Sequence, residues 1–178
     1  MTATVHGATV HHGSVFARLP RGVLALIALV SLGAVGAALV SQHVFEMKPC
    51  PWCIFQRVIY LAIALVAGIG WLVRSRPVTL ASTVLVLALA LGGIASAVFQ
   101  HQVASQDVSC ALTLADRFLF VTGLETMLPF LFQVTATCME AASYQLLGLG
   151  FEVWSGLLFA LISITAVLIL SARRARIH

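Results

Sequence analysis

The apolar positions of the chain gather into four long runs parted by polar clusters: Val23 to Val40, extendable to Phe45; Ile54 to Val73; Val78 to Phe99; and Val153 to Leu170. An α-helix rises about 1.5 Å per residue, so roughly 20 residues cross the hydrocarbon core of a bilayer. The pattern therefore predicts four transmembrane helices, at about 23–45, 54–73, 78–99 and 153–170. A cleaved signal peptide competes for the first run, since Arg18 and Arg21 precede it. A signal core is about 7–15 residues, however, and this run continues without a charge for 18. Arg74-Ser75-Arg76-Pro77 forms a tight basic boundary after the second run. In the third, Ala88, Gly92 and Ser96 recur every four residues, which predicts a face of small side chains packed closely on a neighbour. Gln100 and His101 end that run, either as interfacial caps or as polar contacts for a ligand.

Composition agrees with this class. Hydrophobic residues make up 61% of the 178 positions and charged residues 9%, and the mean hydropathy is +1.05. These values exclude a soluble globular protein, and the length leaves room for one compact unit. The net charge of +4 would suit nucleic acid, but its distribution explains it as topology. Arg18, Arg21, Arg74, Arg76, Arg173, Arg174 and Arg176 fall on one side of the four runs; Lys48, Arg57 and Arg117 fall on the other. By the positive-inside rule both termini are cytoplasmic. The expectation is an all-α membrane protein: a cytoplasmic tail at 1–22, a four-helix bundle at 23–171, and a basic cytoplasmic tail at 172–178. The outward loops are expected at about 46–53 and 100–152. His6, His11 and His12 in the first tail are too scattered to suggest a metal site.

The outer segment from His101 to Glu152 is too long for a simple connection. Leu114, Phe118, Leu119, Met127, Phe130 and Phe132 alternate there with Asp116, Arg117 and Glu125. This predicts short helices lying on the membrane surface, broken near Gly123 and Pro129.

All four cysteines lie in the outward segments. Cys50 and Cys53 sit in Lys48-Pro49-Cys50-Pro51-Trp52-Cys53, with Arg57 four residues further on. Proline is accepted at the first helical position, so Pro51 is expected as N1, Cys50 as the cap and Cys53 as the third helical residue. Unpaired backbone N–H groups there, and the charge of Arg57 one turn along, both favour an ionised sulfur at Cys53. A bland alternative for Arg57 is snorkelling to the interface. Cys110 and Cys138 stand 28 positions apart in the long loop. The four cysteines could form two disulfides or a zinc site, but zinc usually takes two close-spaced pairs and here there is one. A clamp closing the long loop could be purely structural. A disulfide across Cys50–Cys53 constrains so little chain that redox exchange is the better explanation for it.

Taken together, four membrane helices, Lys-Pro-Cys-x-x-Cys between the first and second, arginine four residues after its second cysteine, and a separated cysteine pair in the longer outer loop resemble the disulfide bond formation protein B (DsbB) family. The order of motifs matters: in the vitamin K epoxide reductase family the helix-embedded pair follows the loop pair. The resemblance covers nearly everything beyond the N-terminal tail. The long tail and the Pro51-Trp52 dipeptide are departures. The resemblance implies a bacterial inner-membrane oxidoreductase with its active cysteines facing the periplasm. Such a protein re-oxidises a DsbA-like dithiol partner and passes electrons to a membrane quinone, ubiquinone rather than menaquinone. It implies catalytic roles for Cys50, Cys53, Cys110 and Cys138, and quinone contacts from Arg57 and Cys53, with Gln100 and His101 as further candidates. No metal and no nucleic acid are implied. The rivals are a non-enzymatic membrane scaffold with structural disulfides and an oxidase serving one dedicated partner.

Overall fold

A computed structural model describes residues 13–73, 75–102 and 113–174, with side chains given from Arg21 to Arg173 of these. Cys110, the three N-terminal histidines, Arg74 and Arg176 lie outside the described residues. The chain order is α1 (Gly13–His43), α2 (Pro51–Leu72), α3 (Arg76–Gln102), α4 (Leu114–Thr122), α5 (Leu124–Met127), α6 (Pro129–Phe132), α7 (Cys138–Ala142), β1 (Gln145–Leu146), β2 (Leu149–Gly150) and α8 (Phe151–Arg174). Among the described residues four helices are long and apolar enough to cross a membrane: Arg21–His43 of α1, then α2, α3 and Phe151–Arg173 of α8. The first of the four begins at Gly13, inside the stretch expected as tail.

Packing runs α1 on α2, α2 on α3 and α3 on α8. The shared core contains Leu24, Ile27, Ile59, Ile63, Ala67, Val86, Ala90, Phe159 and Ala166. Leu26, Leu29, Leu65, Leu161 and Leu168 are exposed on the outer faces. Apolar residues on both faces are what a helix needs when its surroundings are lipid.

The close-packed face of α3 is not the one expected. Ala88 and Gly92 are exposed, and of that row Ser96 alone is buried. The buried stripe runs through Thr79, Thr83, Val86, Ala90, Gly93, Ala97 and Gln100. At 3.6 residues per turn a strict four-residue row drifts by about 40° per step, so it leaves a contact that alternating steps of three and four follow. Gly93 is the point of closest approach: a Cβ there would lie about 2.5 Å from Phe159 Cδ1.

Short elements cover the cysteine end of the bundle. Thr113 caps α4 through its hydroxyl and Asp116 N–H, and Gly123 ends α4 at φ 63°, a left-handed turn that suits glycine. Leu128, the residue before Pro129, leaves helical geometry at φ −138° and ψ 66°, so Pro129 starts α6 afresh. Thr137 caps α7 through Glu140 N–H. A two-residue hairpin then joins β1 to β2, with Leu147 and Gly148 both at positive φ as a tight turn of this kind requires. The sequence pattern predicts short helices in this segment and no strands.

Candidate functional site

Cys50 is the N-cap of α2 with extended backbone, Pro51 is N1, and the Cys50 sulfur accepts from Cys53 N–H at 3.4 Å. The sulfur thus does what a serine or aspartate oxygen does at other helix starts. Cys50 and Cys53 are free thiols with Sγ···Sγ 2.9 Å. Cys50 is fully buried. Its thiol is pushed well above the ordinary range, first by the hydrogen bond to the Cys53 sulfur and then by burial. It therefore keeps its proton and donates it towards Cys53.

Gln100, from the end of α3, brings its side-chain N–H₂ to 3.3 Å from Cys53 Sγ and 3.6 Å from Cys50 Sγ. Its carbonyl oxygen accepts from Gln56 Nε2 at 2.8 Å, which fixes the amide so that its donors face the sulfurs. Gln56 was not singled out in the sequence. The available signal was a glutamine three residues after Cys53, inside an otherwise apolar run.

Arg57 is buried and does not reach for the interface. One guanidinium nitrogen donates to Gln42 Oε1 at 2.6 Å and to Leu131 O at 3.0 Å, and the other to Ala38 O at 3.4 Å. It ties α2 to α1 and to α6. Gln42 falls in the extension of the first apolar run, where nothing local shows that it meets Arg57.

The long loop returns to the Cys50 turn. Thr135 N–H and Ala136 N–H both donate to Pro49 O, at 3.1 and 3.2 Å. Cys138, the first residue of α7, is buried in one cluster with Cys50, Trp52, Ala115 and Ala141. It is held in a disulfide; Cys110 lies outside the described residues. Lys48 donates to Glu140 of α7 at 3.0 Å, and this carboxylate raises the lysine pKa above its ordinary value.

A cavity of about 310 Å³ opens between α1, α2 and α8. Its walls include Ala34, Ala37, Ala38, Tyr60 and Leu158, and Cys53, Gln56, Arg57 and Gln100 form its polar end. Apolar walls with a few convergent polar groups are what a small-molecule site needs. His101, expected beside Gln100 in such a site, is turned elsewhere: its Nδ1 lies 3.0 Å from Glu152 Oε1 and its ring is not on the cavity wall. Successive helical residues point about 100° apart, so Gln100 and His101 cannot share one face. Glu152, which the sequence marks only as the end of the outer segment, does line the cavity.

Comparison with known proteins gives a consistent result. Residues 20–169 match the family model described as disulfide bond formation protein DsbB. A "Disulfide bond formation protein B 1" of Pseudomonas fluorescens strain Pf0-1 is 34% identical over 157 residues, covering 86% of this chain and 91% of the relative. A "Disulfide bond formation protein B" of a Polaromonas species, strain JS666, is 32% identical over 164 residues, covering 90% and 96%. A second Pseudomonas fluorescens relative, from strain Pf-5, is 36% identical over 146 residues, covering 79% and 83%. Because the match runs from residue 20 to 169 and the chain has four helices apolar enough to cross a membrane among its described residues, the chain belongs to the DsbB family and is a multi-pass inner-membrane oxidoreductase of disulfide bond formation.

Proposed function

We propose that this protein re-oxidises a periplasmic, DsbA-like dithiol protein and passes the electrons to a membrane quinone. The observation that carries the reading is the unequal setting of adjacent sulfurs. Cys53 lines the cavity between α1, α2 and α8, whereas Cys50 is buried in one cluster with the loop cysteine Cys138. One sulfur is set for a small-molecule acceptor and its neighbour for exchange with the loop. The DsbA–DsbB–quinone route is the known means by which a bacterial periplasm is kept oxidising.

In this reading a thiolate of the reduced partner attacks Cys110, forming a mixed disulfide and releasing Cys138 as a thiolate. Cys138 attacks Cys50, which breaks Cys50–Cys53 and leaves Cys53 as the outgoing thiolate. A second partner thiolate resolves the mixed disulfide, and the partner leaves oxidised. Return of the sulfurs to their starting pairs delivers two electrons to the cavity. A quinone, when bound, supplies the two-electron acceptor, and the cavity's apolar walls and polar end fit such a group. Arg57, Gln100 and Cys53 would hold its polar end. Arg57 keeps a permanent positive charge beside that end, and its three acceptors fix it in place before any charge develops there. Gln100 steadies the Cys53 sulfur. Docking of Thr135 and Ala136 on Pro49 keeps Cys138 within reach of Cys50. In the membrane, both termini are cytoplasmic and the cysteine end faces the periplasm, in line with the basic residues at Arg21, Arg76 and Arg173.

The test uses purified protein with a reduced DsbA-like partner and a soluble quinone. Cys53→Ser stops quinone reduction, and Cys110→Ala stops partner oxidation while Cys50–Cys53 still forms. Partner oxidation at the normal rate by Cys110→Ala and Cys138→Ala variants sinks the relay. A thiol reagent that cannot cross membranes should label the reduced cysteines from the periplasmic side only.

A further inference from the structure

Among the described residues Glu152 is the one carboxylate on the cavity wall. Its charged companions there are Lys48 and Arg57, and the other titratable side chains are Cys53, Tyr60 and Tyr144. Glu152 is the second residue of α8 and is only 6% exposed, yet its partner His101 on α3 has a side chain 62% exposed. Oε1 and Nδ1 lie 3.0 Å apart. Position 150 is glycine, and any Cβ there would overlap the Glu152 carboxylate. The chain thus leaves space for an acid between the cavity and an exposed imidazole. Burying a carboxylate is costly unless it is paired, and histidine is the side chain that gains and loses a proton near neutral pH.

We propose that Glu152 is the proton-transfer group of the cavity and that His101 connects it to outer solvent. The inference rests on the quinone reading given above. When the Cys50 and Cys53 thiols close to a disulfide they give up two electrons and two protons, and a quinone becoming a quinol takes up two of each. The electrons leave from sulfur, whereas the protons must arrive at ring oxygens. Glu152 gives its carboxyl proton to the acceptor oxygen. It is reloaded from His101, whose Nδ1 proton passes to Oε1 as the ring's other nitrogen takes one from water. Exchange with water at the exposed ring then removes the Nε2 proton and restores the one on Nδ1, and a second pass supplies the second proton. The two thiol protons are released to that water, so charge and mass balance.

The test uses the full-length protein in lipid nanodiscs with a reduced DsbA-like partner and a short-chain quinone. Glu152→Gln lowers kcat for quinone reduction roughly a hundredfold while KM and quinone-analogue binding stay within about twofold. Glu152→Ala is partly restored by added formate, and His101→Ala by added imidazole. Infrared difference spectra on reduction of the bound quinone show a carboxyl band in the wild type that Glu152→Gln lacks. Should Glu152→Gln fail to accumulate in folded form, His101→Ala and its imidazole rescue carry the test. Loss of activity without rescue in either alanine variant marks a purely structural pair and overturns the proposal. So does a Glu152→Gln variant with wild-type kcat. A wild-type protein that reduces no quinone overturns the function proposed above as well, so the two failures are told apart.

Discussion

Gln100 donates its side-chain amide to the Cys53 sulfur across 3.3 Å, and Gln56 holds the other end of that amide at 2.8 Å. Neither glutamine can turn without leaving a buried polar group unpaired. A hydrogen bond to a charged acceptor stabilises by about 1.5–3 kcal/mol. Gln100→Leu should therefore destabilise the reduced Cys50–Cys53 pair and lower its reduction potential by about 30–60 mV, taking about 1.4 kcal/mol per 30 mV. Gln56→Leu, which frees the amide to flip, should give a smaller change of the same sign. Equilibration against glutathione buffers measures both, and an unchanged potential in Gln100→Leu refutes the contact's importance.

Arg57 is a fixed charge because α1 supplies two of its three acceptors. Gln42→Leu removes the shortest of these, at 2.6 Å, while leaving the charge in place. The expected result is a rise in KM for a soluble quinone with kcat little changed, since positioning is lost but the chemistry is not. Arg57→Lys should be worse than its charge suggests, because lysine lacks the planar fork that reaches Gln42, Leu131 and Ala38 together; about tenfold in kcat/KM is the expected scale. Steady-state assays over a quinone series decide between the two patterns.

What the sequence made legible was local. Pro51 after Cys50 announced the start of α2 and the cap, because proline tolerates one helical position and few others. Gly123 and Pro129 announced the breaks between α4, α5 and α6 for the same kind of reason. The four spans followed from length and polarity alone. The contacts that shape the site join residues far apart in the chain: Gln42 with Arg57, Gln56 with Gln100, His101 with Glu152. No spacing rule relates such pairs, so Gln56 and Glu152 passed as ordinary polar residues. Thr113-x-x-Asp116 and Thr137-x-x-Glu140 were readable as caps, and the second would have located the start of the helix that carries Cys138.

The two adjacent glycines of α3 test the packing directly. A Cβ at Gly92 meets nothing within 4 Å, whereas one at Gly93 drives into the Phe159 ring. Gly92→Ala should be neutral or slightly stabilising, since alanine is the better helix former. Gly93→Ala should destabilise by about 1–3 kcal/mol, the usual cost of overpacking a filled core. Thermal unfolding of both variants in the same detergent gives the comparison. Equal behaviour would mean that α3 and α8 do not meet as described.

The pH dependence of the reduced protein follows from Cys50. Its hydrogen bond to Cys53 and its burial raise its pKa well above the ordinary 9.0, so in the folded protein its protonated form is the favoured one. The sign follows: this contribution to stability is fully present below the ordinary thiol value and is lost as pH rises through the raised one, because the unfolded chain ionises first. Reactivity runs the opposite way, appearing only as pH rises towards the raised value, since the thiolate is the nucleophile. At pH 8 iodoacetamide should therefore label Cys53, which lines the cavity, and leave Cys50 untouched until the pH is taken well past 9.0. Cys53→Ser removes the sulfur partner but not the burial, so Cys50 should remain slow to react in that variant too. Mass mapping of the alkylated peptides across a pH series reads the order, and faster labelling of Cys50 at pH 8 would reverse the roles given to the two sulfurs.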